Sequence, residues 1–261
     1  MVFRFQDIEY IQGSREMPWN RPSKMKVYYY LIDGLLIDTG PSSLAEPAMA
    51  FFNARPINQV FLTHIHEDHA GMAYWLQENK QVPIYLHPGS VDEALREPEL
   101  APYRVDIWGN RPAFKASPAP DTISTGSCFF QVIDSPGHCL HHNVLYEKNK
   151  GWLFSGDLLS NLRPTSVFHE ENLSQMIISI DKLLALQFDT VFCSHTGILR
   201  NGKDLFTHKL SYLLQLQEDV HDLRRRGLSD EEIDRKLFSR PNPLDMELGK
   251  DFSSYNMVHT L

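Results

Sequence analysis

Short apolar runs alternate along this chain with segments of helical period. "KVYYYLID" and "LLIDTG" are rich in aromatic and branched residues on either side of Asp33-Gly34, a pattern that predicts a β-hairpin with a tight turn at that pair. Residues 41–54 then read as a helix, "QVFLTH" as a buried strand and residues 68–79 as a second helix. "VPIYLHP" returns as a strand, with Ser90 placed to cap the helix after it. "CFFQVIDS" is another strand, and "NVLYEKNKGWLFSGD" holds two apolar runs around a turn at Asn149-Lys150-Gly151. A helix over 172–186 leads into the strand "TVFCSH". Residues 203–238 then hold two helical stretches, the second started by Ser229 with Glu232 three positions on. Both halves follow one plan: hairpin strands, a helix, then a strand running out into a histidine loop.

Residues 98–121 interrupt this rhythm with five prolines and one glycine, yet keep Tyr103, Trp108 and Phe114. Proline with aromatics over such a length predicts a packed or functional loop rather than a linker. Arg104, Trp108, Arg111 and Lys115 of this segment are candidate pocket walls, together with "REMPWNRPSK" and "SSYNMVHT". Such residues suit an apolar body with an anionic end.

Composition narrows the class. The 261 residues are 42% hydrophobic and 22% charged, which is ordinary for a globular protein. The expectation is one domain over 1–261 with a helical C-terminal portion from about 203–238. "MVFRFQDIEY" lacks the apolar core of a signal peptide, and no stretch approaches the roughly eighteen apolar residues of a membrane span. A cytoplasmic protein with no membrane partner is expected. Cys128, Cys139 and Cys193 show no C-x-x-C spacing, so they are expected to be reduced and mostly buried. A net charge of -8 argues against bulk nucleic acid as a partner.

The candidate chemistry stands at the ends of the apolar runs. Asp38 follows "LLI", the cluster His64, His66, Asp68 and His69 follows "VFL", His138 follows "VIDSPG", Asp157 follows "LFSG", and His195 follows "VFCS". In layered α/β folds strand ends feed loops that converge on one site, and converging histidines and aspartates make a metal site. In extended backbone His64 and His66 face one way and suit one ion. A turn at Asp68 and His69 aims two further ligands elsewhere. The helical H-E-x-x-H zinc pattern fails here, because position 70 is Ala70, so Glu67 is not expected to be a general base. Taken singly, His87, His141, His169, His208, His221 and His259 read as ordinary capping or surface histidines.

"THIHEDH", with Asp38 in "LLIDTG", His138 in "SPGH", Asp157 in "FSGD" and His195 in "SHTG", resembles the five-motif signature of the metallo-β-lactamase superfamily over about residues 27–200. The resemblance implies an α/β, four-layer αββα sandwich with a binuclear centre at one edge. It implies His64, His66 and His138 on one metal, Asp68, His69 and His195 on the other, Asp157 bridging, and Asp38 supporting the site from behind. "PGHCLHH" at the third motif places His142 where relatives carry a small residue or a second histidine. That is similar to glyoxalase II-like and mitochondrial β-lactamase-like hydrolases, with His142 either a further supporting residue or a packing one. After His195, "TGILRNGK" departs from the "CGHEYT" of glyoxalase II, which argues against glutathione-thioester specificity.

Two divalent ions imply a bridging hydroxide as nucleophile, with Asp68 or Asp157 as the catalytic carboxylate that relays its proton. Zinc is favoured by the nitrogen-rich set, and iron or manganese also suit mixed nitrogen and oxygen ligands. The expected reaction is hydrolysis of a small-molecule ester, thioester or lactone. A metal-dependent endoribonuclease and an iron redox enzyme such as a sulfur dioxygenase are the alternatives.

Overall fold

The computed structural model describes residues 1–17, 24–239 and 248–261; most of the "REMPWNRPSK" stretch therefore lies outside the described residues. Two sheets pack face to face. The first holds seven strands in chain order: β1 (Val2–Phe5), β2 (Ile8–Glu16), β3 (Lys24–Ile32), β4 (Leu35–Ile37), β5 (Gln59–Phe61), β6 (Ile84–Leu86) and β7 (Ser117–Pro118). The second holds six, from β8 (Thr122–Ser124), β9 (Phe129–Asp134), β10 (Asn143–Glu147) and β11 (Trp152–Gly156) to β13 (Thr190–Cys193) and β14 (Gly197–Leu199). A separate pair joins β12 (Val167–Phe168) to β15 (Phe252–Ser253).

Helices cover both outer faces. Phe51, Phe52 and Leu76, from α1 (Ala45–Asn53) and α3 (Ala73–Lys80), pack on the first sheet. Met176, Ile180 and Leu213, from α6 (Leu173–Leu184) and the long α7 (Gly202–Arg225), pack on the second. Between the sheets lie Tyr30, Phe61, Phe130, Phe154 and Phe192, with Phe154 stacked on Phe192 at 4.4 Å. Truncating one such buried ring costs about 3–5 kcal/mol. β10 and β11 are buried at every position, as strands covered on both faces must be. This is the αββα sandwich, and among the described residues no helix is long and apolar enough to cross a membrane.

The two halves do repeat one plan. β3 and β4 form an antiparallel hairpin, α1 follows, and β5 returns parallel to β4. β10 and β11 form the second hairpin, α6 follows, and β13 returns parallel to β11. Asp33 and Gly34 both have positive φ, as the tight first turn requires. The Ser229–Glu232 capping box starts α8 (Asp230–Leu237) with both reciprocal bonds.

Three expectations need correction. The helix expected over 68–79 is two, α2 (Glu67–Ala70) and α3, because the N–H of Met72 turns to Thr39 Oγ1 and the Gly40 carbonyl instead of continuing the helical ladder. Ser90 precedes α4 (Val91–Ala94) but makes no cap bond; its hydroxyl meets His141 Nδ1 at 3.2 Å. The 98–121 segment is packed, but contains the helix α5 (Pro102–Trp108), opened by Pro102 where a missing N–H costs nothing. The hairpin β1–β2 has no counterpart in the elements read from the sequence. The chain closes on α9 (Ser254–His259).

Candidate metal centre

The elements deliver the candidate side chains from strand ends. Asp38 leaves β4 with a left-handed φ of 58°, a strained conformation for a non-glycine residue. His64 to His69 span the turn from β5 into α2. Asp157 leaves β11 directly after a register shift between Phe154 and Gly156, a bulge that re-aims the strand end. Gly156 has a φ of 50°, and a Cβ there would stand 2.5 Å from His142 Nε2. Cross-sheet bonds then hold the two edges together: Tyr28 N–H donates to the Ser194 carbonyl at 2.7 Å, and Asn143 N–H to the Thr63 carbonyl at 2.8 Å.

Seven side chains converge in two groups whose donor atoms lie within 4.8 Å of one another: His64, His66 and His138, and Asp68, His69, Asp157 and His195. In the first group His66 Nδ1 lies 3.0 Å from His64 Nε2 and 3.2 Å from His138 Nε2. Ligands about 2 Å from one tetrahedral ion stand roughly 3.3 Å apart, so these edges have the right length. In the second group His195 Nε2 lies 3.2 Å from Asp68 Oδ2 and 3.0 Å from Asp157 Oδ2. His69 Nε2 lies 3.4 Å from Asp68 Oδ2 and 3.3 Å from Asp157 Oδ1. Asp157 Oδ2 is also 3.4 Å from His138 Nε2. One carboxylate therefore reaches both groups.

Hydrogen bonds behind the rings assign the tautomers. His69 Nδ1 donates to Asp38 at 2.8 Å and His195 Nδ1 to the Lys26 carbonyl at 2.6 Å. Asp38 accepts only, so the Thr63 hydroxyl donates to it at 3.0 Å and takes the His64 Nδ1 proton at 3.1 Å. Each ring then turns a bare Nε2 lone pair inward. His69 Nε2 and Asp157 Oδ1 are buried without any hydrogen-bond partner. Buried polar atoms left in that state are costly, and a positive charge between the facing lone pairs, either a metal ion or a proton on the ring, satisfies both. The donor set fits two divalent ions.

Charge agrees with geometry. Burial pushes the Asp68 and Asp157 carboxyls up, but the facing imidazoles outweigh it and hold both well below the ordinary carboxylate range. Burial pushes His69 and His195 down, and the same carboxylates overcome it, raising both well above the usual histidine value. The pocket demands positive charge. His142 is different: burial, then His138, pushes it down to about 3. As a neutral ring it accepts the Asp157 N–H on Nε2 at 3.3 Å and pairs Nδ1 with Ser135 Oγ at 2.9 Å, which places it behind Asp157.

Residues 24–195 match the description of the metallo-beta-lactamase superfamily. The chain belongs to that superfamily. It is similar to a hydroxyacylglutathione hydrolase of Yersinia enterocolitica, 31% identical over 170 residues, which are 65% of this chain and 59% of that protein. A hydroxyacylglutathione hydrolase of Photorhabdus laumondii is 33% identical over 150 residues, 57% of this chain and 51% of that one. The matches thus span little more than half the length of these relatives. Among solved structures, a beta-lactamase domain protein from Burkholderia ambifaria superposes with a TM-score of 0.68 at 20% identity, covering 98% of this chain and 84% of that one; the likeness is one of fold.

Around the superfamily centre, an inner chamber of about 150 Å³ carries Met17, Met25, Ile107, Trp108, Phe168 and Phe252 on its walls, with His66, Asp68, His138, Asp157 and His195 at its base. An outer cavity of about 720 Å³ adjoins it, with His141, His169, Glu93, Glu99 and Asp251 on its surface. Arg104 lines both cavities, Trp108 the inner and Arg111 the outer. Lys115 is exposed and lines neither cavity. The "SSYNMVHT" stretch forms α9 and buries Met257 and Val258 in the core instead of walling a cavity. Residues that sequence reasoning missed include Thr63, Glu170 and Glu171, which stand directly behind His64, His66 and His138. Glu67 is buried and paired with Arg104, consistent with its exclusion as a base. Of the six histidines set aside, His87 stacks on His141, His169 pairs with Asp251, His259 with Asp230, and His221 with the Leu261 carbonyl.

Proposed function

We propose that this chain is a hydrolase that holds two divalent metal ions and cleaves an ester, thioester or lactone of a small molecule. The observation that carries this reading is the Asp157 carboxylate, whose Oδ2 lies 3.4 Å from His138 Nε2 and 3.0 Å from His195 Nε2. His64, His66 and His138 hold one ion, Asp68, His69 and His195 the other, and Asp157 both, with Asp38 and His142 supporting from behind. The nitrogen-rich set favours zinc, and iron or manganese are also accommodated. When bound, such a pair supplies an acidified water and Lewis-acid polarisation of a carbonyl oxygen.

The chain's own groups supply the rest. Asp68 and Asp157 stand at the base of the inner chamber, where their part is to orient the attacking water and take its proton. The apolar chamber walls exclude water and seat an apolar substituent next to the scissile bond. A more polar remainder extends into the outer cavity. There the charged lining is mixed, Glu93, Glu99 and Asp251 beside Arg104 and Arg111, rather than the basic surface a polyanion requires, which supports a small-molecule substrate over RNA. The name of the curated relatives supports the hydrolytic class, while the departure after His195 argues against taking over their glutathione thioester. The cytoplasm is part of this proposal, since Cys128, Cys139 and Cys193 are free thiols that a reducing compartment preserves.

The test is a panel of lactones, esters, thioesters and phosphodiesters presented to zinc-, iron- and manganese-loaded protein. Acyl substrates are expected to exceed phosphodiesters by at least about 100-fold in kcat/KM. Turnover confined to phosphodiesters, falling steeply with salt, would replace this reading by a ribonuclease. Oxygen consumption by the iron form alone would replace it by redox chemistry.

A further inference from the structure

His66 differs from its two neighbours in the first donor group. His64 and His138 turn Nε2 inward, whereas His66 turns Nδ1 inward, 3.0 Å and 3.2 Å from those nitrogens. Its Nε2–H therefore points away from the centre, and Glu170 Oε1 accepts it at 3.2 Å. The same glutamate oxygen accepts from Arg104 Nη1, also at 3.2 Å. Arg104 spends its remaining fork on Glu67, with Nε to Oε1 at 2.7 Å and Nη2 to Oε2 at 2.9 Å.

Glu67 sits between the ligand candidates His66 and Asp68, and its side chain is 1% exposed. A carboxylate so buried persists only with a charged partner, and the bidentate guanidinium provides one with fixed geometry. Arg104 belongs to α5, the element that also brings Ile107 and Trp108 to the inner chamber. One end of this helix is thus latched to the ring of His66, and the other lies against His195, with ring centroids of Trp108 and His195 6.2 Å apart.

We propose that Glu67, Arg104 and Glu170 form a relay of positioning residues that fixes the His66 ring and sets how tightly the His64–His66–His138 group holds its metal. The inference rests on the two-metal reading above and goes beyond it by assigning a function to three residues that lie outside the donor set. A carboxylate behind a ligand imidazole orients the ring and raises its basicity. Arg104 determines where that carboxylate stands and how much of its charge His66 receives, so the wall of the substrate chamber and the metal affinity are one mechanical unit.

The experiment loads the metal-stripped chain of 261 residues with cobalt and titrates it against a chelator, following the visible spectrum. Wild type is expected to bind two equivalents. Glu170→Gln is expected to loosen one equivalent about 10–100-fold and shift its absorption while leaving the other. Arg104→Lys, which keeps the charge but loses the fork, is expected to loosen the same equivalent by a smaller factor. The double variant Glu67→Gln/Arg104→Gln removes the buried pair as a unit and leaves no unpaired buried charge, and it too is expected to loosen that equivalent. If these variants only lower the melting temperature of the stripped protein, with cobalt spectrum and both affinities as in wild type, the residues are a structural clamp and the relay is overturned. Wild type that binds no cobalt would overturn the two-metal reading and the relay with it.

Discussion

Asp38 and Asp157 occupy equivalent places in the two halves: each leaves the second strand of a hairpin whose parallel partner, β5 or β13, runs into a histidine. Their surroundings make them different. Asp38 is ringed by donors, accepting from Thr63 N–H at 2.8 Å, Thr63 Oγ1 at 3.0 Å, His69 Nδ1 at 2.8 Å and Ser194 Oγ at 3.2 Å. Asp157 faces the lone pairs of His69, His138 and His195, and its Oδ1 has no hydrogen-bond partner. A strand end thus delivers an aspartate, but its neighbours decide whether it organises protein donors or is left facing other acceptors. The loops beyond them are also held differently. Thr39 bonds the His69 carbonyl through both its N–H and its hydroxyl, whereas the Leu158 carbonyl is held by the buried ammonium of Lys209 at 2.9 Å.

The largest effect should come from Asp157. Asp157→Ala removes the one side chain common to both donor groups and is expected to lower kcat/KM on the best acyl substrate by about 10³-fold or more; steady-state rates within tenfold of wild type would break the contrast. Asp38→Asn should act more gently on activity. It keeps every donor in the two groups but disturbs the tautomer of His69, so metal affinity is expected to fall roughly 10–100-fold. In stripped protein the same change should cost about 2 kcal/mol, because a buried acceptor of four hydrogen bonds becomes half a donor. Chelator titration and urea unfolding read these two effects separately.

The smallest and most specific effect is one of pH. Burial pushes Lys209 down to about 8, below its unfolded value of about 10.4. The native state releases that proton first as pH rises. Lys209 therefore costs stability below about pH 8, and the cost fades between about pH 8 and 10.4. Lys209→Met should abolish this rise, a difference on the order of 2–3 kcal/mol in unfolding free energy across the window. Parallel pH profiles for the two proteins would show that the ammonium is better solvated than its burial implies.

The convergence of the seven candidate side chains was legible in the sequence because each follows an apolar run, and burial of that run brings its end to the sheet edge. His66 and Asp68 could be sorted into different groups from strand alternation and the turn that follows. Arg104 was legible as a pocket wall, but its pairing with Glu67 and Glu170 and the contact of His141 with Ser90 were not, since these groups arrive on loops and on a short helix whose placement depends on contacts remote in sequence. The break between α2 and α3 was hidden for the same reason: Thr39, far upstream, captures the Met72 N–H. Ser90 read as a cap because its type fits one, but its hydroxyl is taken by His141, which no local pattern announces.

The central claim is that one oxygen of Asp157 joins two metal-binding groups. Loading the stripped protein with manganese and recording its paramagnetic resonance tests this most directly. Two ions per chain with an exchange-coupled spectrum in wild type, lost in Asp157→Ala, is the result this account predicts. A single ion per chain at saturation, or two ions with the spectrum of isolated manganese, would contradict it.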